Sequence, residues 1–155
     1  MNQSESSRSI ALWTTIGLGW LVAASGSLYA EPLGQKLSGS ELKGLLSGNT
    51  AEGINHLKQR EFKIFYNVSG ALSGSSQNTG QKAASMGLKP NQDIGKWWME
   101  GDDRCVQWNS WDSSGCGSVF KKGDDYLYHP RESSGAISDE PRATFRVVTG
   151  NPHNL

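Results

Sequence analysis

The chain predicts a single mainly-β domain: one short N-terminal helix, then an antiparallel meander of six to eight short strands, curved or barrel-like. Three observations carry this expectation. Beyond Gly48, strand-like runs are separated by clusters of Gly, Asp, Asn and Ser. A weak internal repeat aligns Gly95–Asp103 with Gly117–Asp125, each copy ending in Gly-Asp-Asp. The hairpins that these copies imply carry large apolar groups on both faces, so the sheet needs cover on two sides.

The first thirty residues concern destination rather than fold. Arg8 precedes an uncharged apolar run from Ile10 to Ala24, and small residues then lead to Ser27-Leu28-Tyr29-Ala30. This order of basic, apolar and small segments predicts a signal peptide over residues 1–30, with Glu31 as the new N-terminus. The run is short for a bilayer span, which needs about twenty residues. An uncleaved anchor is the alternative. Residues 31–155 are then one domain with a modest core.

The helix is expected over residues 39–47. Ser38 and Glu41 make a capping box, and Leu37 and Leu42 occupy the positions of a hydrophobic staple. Leu42, Leu45 and Leu46 form one apolar stripe, and Gly48 suits a left-handed stop. So short a helix is unstable alone in water, so its leucines need a partner surface.

Phe62–Val68 reads as the first strand, with Ser69-Gly70 as its turn. Residues 73–93, rich in Gly, Ser, Gln and Asn, read as a long loop. Lys96–Met99, Arg104–Trp108, Gly117–Lys121, Tyr126–Tyr128 and Thr144–Val148 read as further strands, and residues 130–142 as a second long loop. Gly101-Asp102 and Gly123-Asp124 suit two-residue type II′ turns, which fix the register. Counting back from them sets Trp97 opposite Val106, Trp98 opposite Cys105, Met99 opposite Arg104, Phe120 opposite Leu127 and Val119 opposite Tyr128. Trp97, Met99, Val106 and Trp108 then share one face. Trp98, Cys105, Phe120 and Leu127 share the other. Either the sheet closes with something packed outside it, or one face is a binding surface.

Composition narrows the function. Fifteen Lys and Arg balance fifteen Asp and Glu, so the chain lacks the basic excess that nucleic acid demands. No membrane span is expected once the signal is removed. In an exported chain the isolated pair Cys105 and Cys116 is most simply one disulfide, with two buried thiols as the alternative. His56, His129 and His153 are far apart and show no metal-ligand spacing. The Gly-Asp-Asp clusters lack the ligand pattern of a calcium loop, and turn chemistry accounts for them. Neither a nucleophile elbow nor a phosphate-binding glycine loop is present. No metal, cofactor or catalytic residue is therefore assigned.

Trp97, Trp98, Trp108 and Trp111 fall close together, as either a stacking platform or ligand pocket, or as core. Trp111 sits with Asn109, Ser110 and Asp112 in the loop that the disulfide would close, and reads as an exposed tryptophan. Trp111, Trp98, Asn109 and Asp112 are the candidate binding residues.

The segment Leu37-Ser-Gly-Ser-Glu-Leu-Lys-Gly-Leu-Leu-Ser-Gly-Asn-Thr50 resembles the opening of a group of small exported proteobacterial proteins of unknown function. Gly95-x-Trp97, Gly101-Asp102, Cys105-x-x-Trp108, Cys116, Gly123-Asp124-x-Tyr126 and Gly150-Asn151-Pro152 extend the resemblance over residues 37–152. It implies export and a compact, mostly β domain, and it brings no activity. The expectation is a monomeric, non-catalytic binding or accessory module of the periplasm, or a secreted one. Its partner would be a small apolar molecule, a saccharide or an envelope protein. The alternatives are a hydrolase inhibitor that presents the Cys105–Cys116 loop, and a small hydrolase with an unrecognised site.

Overall fold

Capping chemistry starts the only helix among the described residues. The Ser38 side chain accepts from the Glu41 N–H, and Glu41 Oε2 accepts from the Ser38 N–H at 2.8 Å. This begins α1 (Gly39–Leu46), which Gly48 ends at a positive φ of 76°. The computed structural model describes residues 33–78 and 91–155. The expected signal peptide and its cleavage point lie outside those residues, as do residues 79–90 of the expected first loop.

Around α1 run β1 (Gln35–Lys36), β2 (Asn49–Asn55), β3 (Arg60–Tyr66), β4 (Ala71–Asn78), β5 (Asn91–Glu100), β6 (Asp103–Trp108), β7 (Gly115–Lys122), β8 (Asp125–Pro130) and β9 (Ala143–Thr149). Strands β2 to β9 pair antiparallel in chain order, and β9 returns to β2 from Asn49↔Thr149 to Asn55↔Ala143. The result is a closed eight-stranded up-and-down barrel, which leaves no open sheet edge. Short β1 pairs with the end of β7, beyond the point where β6 stops pairing with it.

Both Gly-Asp turns fix the register as read from the sequence. Gly101 and Gly123 have φ of 61° and 63° while the following aspartates do not, the φ pattern of a II′ turn. Trp97↔Val106, Trp98↔Cys105, Met99↔Arg104, Phe120↔Leu127 and Val119↔Tyr128 all face each other. Cys105 and Cys116 are joined across β6 and β7, with their Cα atoms 4.0 Å apart.

Two of the expected loops need correction. Residues 71–78 are strand β4, and β5 begins at Asn91, so the segment read as loop 73–93 is strand at both ends. Strand β2 was also missed. The cause is close approach in both: a Cβ at Gly53 would run into the Thr144 carbonyl and the Phe145 backbone, and one at Gly74 into the Trp108 and Trp111 rings, so these strands carry small residues where apolar alternation would mark a strand. The second loop begins at Arg131. It folds back on β8, with a bridge between Arg131 and Ile137 and a bond from the Ser138 N–H to the Pro130 carbonyl.

Closure solves the problem of two apolar faces. The inward set includes Leu72, Trp97, Val106, Trp108, Val119 and Phe145. The outward set near the disulfide is covered in part by the 131–142 loop, whose Ser138 carbonyl meets buried His129. Helix α1 closes one barrel end with Leu42 and Leu46, both fully buried. Asp102, in the β5–β6 turn, accepts from the Gly39 N–H at 2.7 Å and so docks the helix N-terminus on the rim. The strands coil tightly: a Cβ at Gly95 or Gly117 would stand 2.3 Å from a carbonyl oxygen of the neighbouring strand. No helix among the described residues is long and apolar enough to cross a membrane.

Candidate functional site: the barrel lumen

Opposite the end closed by α1, the lumen holds a cavity of about 390 Å³. That is enough for one small molecule. Its lining changes character with depth. At the deep end stand Tyr66, the last residue of β3, and Arg104, near the start of β6, with Tyr128 beside them. The walls are Phe62, Ile64, Val106, Trp108, Ala143 and Phe145. Polar groups gather at the mouth, among them Asn55, Lys58, Arg60, Asn91, Asp112 and Arg142.

Alternation from the Gly101-Asp102 turn aims Arg104 inward with Val106 and Trp108. The residue as a whole is 9% exposed. Its guanidinium lies 4.2 Å from the Tyr128 ring centroid and 5.9 Å from that of Tyr66, within cation–π range. Arg104 Nη1 donates to Tyr66 Oη at 2.6 Å, while its Nε finds no acceptor. No carboxylate among the described residues forms an ion pair with it. Burial works against its charge, but the oxygens of Tyr66 and Tyr128 more than offset that and hold its pKa above the ordinary value. Arg104 is therefore a permanent cation inside an apolar barrel.

Trp111 is not the exposed loop residue expected from its polar neighbours. It is half-buried, and its ring packs on Trp108 with centroids 4.5 Å apart. The cause is Asp93 at the start of β5. Its Oδ2 accepts from the backbone N–H of Ser110 at 2.9 Å and of Trp111 at 2.8 Å, which ties the 109–114 loop inward. Burial pushes the Asp93 carboxyl up, but the N–H donors of Ser110, Trp111 and Ile94 together hold it below the usual range. Gly74 on β4 makes room, because a Cβ there would stand 2.8 Å from the Trp108 ring and 2.9 Å from that of Trp111. The Trp111 indole N–H is buried without an acceptor.

The four candidate binding residues separate. Trp111 and Asp112 line the mouth, and Asp112 is ion-paired to Lys58 across the opening. Trp98 lies on the barrel exterior, 44% exposed, and Asn109 is an exposed loop residue outside the lining. Arg104, Tyr66 and Tyr128 were not singled out from the sequence. Glu100 Oε2 lies about 4 Å from both sulfurs of the disulfide. Bonded to each other, those sulfurs offer no thiolate to a metal.

No family model, curated protein or solved structure matches the chain significantly.

Proposed function

We propose that this chain is an exported, non-catalytic binding module whose barrel lumen takes up one small molecule with a substantial apolar body. The carrying observation is the cavity: apolar walls, one closed end and a polar rim at the other. Such a combination of enclosure and a few placed polar groups is what small-molecule sites share. The carboxylate in its lining, Asp112, is exposed and paired to Lys58, so the lining supplies recognition rather than an acid–base pair. A hydrolase-inhibiting wedge loses its support, because Trp111 turns into the barrel instead of projecting from the loop. Export rests on the Arg8–Ala30 pattern and on the cysteine pair, and fits a periplasmic or secreted monomer.

Native mass spectrometry of protein recovered from its own compartment tests both parts. The expected spectrum has a protein mass that begins at or near Glu31, together with an adduct of a few hundred daltons or less that is released by organic solvent. A precursor-length mass would overturn the compartment. Failure to find an adduct, with no response of the tryptophan fluorescence to any apolar probe, would overturn the binding reading.

A further inference from the structure

We propose that the lumen selects amphipathic molecules with a carboxylate head, and that Arg104 at the deep end is the subsite for that carboxylate. This rests on the lumen being a small-molecule site and adds the chemistry of what enters.

A buried guanidinium without a counterion is unstable company for apolar walls, because taking a charge out of water remains costly even after relaxation. Folded proteins place such a group where a partner meets it. In this barrel the aromatic faces of Tyr66 and Tyr128 supply partial compensation, yet Nε still lacks an acceptor. A planar carboxylate matches the fork of a guanidinium with two parallel hydrogen bonds. Tyr66 contributes in a second way. Its oxygen already accepts from Arg104, so its own hydrogen remains to be donated to the same anion.

The charge of the lining agrees. The chain as a whole is neutral, but among the described residues the cavity lining carries Lys58, Arg60, Arg104 and Arg142 against the single acid Asp112. Low-dielectric walls focus that excess onto an anion approaching the mouth. Depth sets orientation. With the head at Arg104, the body of the ligand lies along Phe62, Phe145 and Trp108, and its far end meets the Trp111 ring.

Decanoate and decanol share an apolar chain and differ in the head, so titrating each against tryptophan fluorescence tests the assignment. The protein is expected to bind decanoate at least about tenfold more tightly than decanol, the preference one charge-assisted contact supplies. Arg104→Gln should abolish that preference, so that decanoate and decanol bind the variant with equal affinity, while Arg104→Lys retains part of it. Should Arg104→Gln fail to fold, the native protein still decides the matter. Its decanoate affinity should fall to that of decanol as pH drops through the ligand's own carboxyl range, about 4–5, with decanol as the control for intact protein. Equal affinity of the native protein for the two probes, or a preference that survives Arg104→Gln, overturns the assignment but leaves a small-molecule lumen standing. If neither probe binds, the carboxylate assignment falls, and the small-molecule lumen is decided separately by the native mass spectrum.

Discussion

Asp103 and Arg104 are neighbours on β6, both charged and both buried, and they show two treatments of the same difficulty. Alternation sends Asp103 outward, where it is fully partnered. Ser118 Oγ donates to it at 2.5 Å, Arg131 donates through Nε and Nη2 at 2.9 and 2.5 Å, and Lys36 stands 4.0 Å away. Burial pushes the Asp103 carboxyl up, but Ser118, Arg131 and Lys36 together hold it below the usual aspartate range. A carboxyl with a depressed folded pKa contributes stability that is complete above its unfolded pKa, about 3.9, and is lost as pH falls through the lower folded value. Wild type should therefore be clearly more stable than Asp103→Asn in urea near neutral pH, and the gap should narrow as pH falls below the unfolded value of about 3.9. A gap unchanged by acid would mean that the carboxylate charge is not what Asp103 contributes. The inward neighbour is a lesson in what sequence conceals. Register places Arg104 on the face of Trp97 and Trp108, yet a lone cation on an apolar face has no meaning until Tyr66 and Tyr128 are brought to it from other strands. Trp111 misleads for a similar reason: its neighbours are polar, and the carboxylate that turns it inward is Asp93, distant in sequence.

Where local chemistry sets an element, the sequence suffices to find it. Helix α1 is marked by its capping box and Gly48, and the β5–β6 and β7–β8 hairpins by their Gly-Asp turns. Strands β2 and β4 are set instead by what stands against Gly53 and Gly74, neighbouring backbone in one and two tryptophan rings in the other, which demands small residues and so erases the pattern. The β6–β7 hairpin differs again, because its turn is a six-residue loop and its register shows through the cysteine pair. The disulfide spans 11 residues on the exterior face. Loop-closure entropy for so short a span gives roughly 2–3 kcal/mol, a sizeable share of the stability of a small domain. Replacing Cys105 and Cys116 together with Ser should lower the urea midpoint accordingly while far-UV circular dichroism is retained. Asp93 ties the loop independently of the sulfurs, so Trp111 should keep its native fluorescence in the same variant. A red-shifted tryptophan spectrum in the still-folded variant would show that the disulfide, not Asp93, holds the loop.

Closure through β9 makes the barrel one object. The strands that seal it are β2 and β9, the first and last strands of the barrel, whose residues Asn49 and Thr149 pair across most of the domain's sequence. Every other strand pair within the barrel forms between sequence neighbours, and only short β1 also reaches a distant strand, β7; the meander can therefore assemble locally while the seal must wait for the longest loop to close. Until then β2 and β9 each present an unpaired edge. The inward residues also belong to a single cluster, which runs from Leu42 and Leu46 under α1 through Trp97 and Val119 to Phe145. With one core and one sealing pair, no portion of the sheet has a reason to melt first. Urea unfolding is therefore expected to be two-state, with far-UV circular dichroism and tryptophan fluorescence tracing superimposable curves and a single midpoint. The comparison is discriminating because Trp97 lies next to the helix-closed end, beside Tyr66, whereas Trp108 and Trp111 lie toward the mouth. If fluorescence shifts at lower urea than the dichroism, the mouth opens as a separate unit, and the lumen is gated by local unfolding rather than held ready by the barrel.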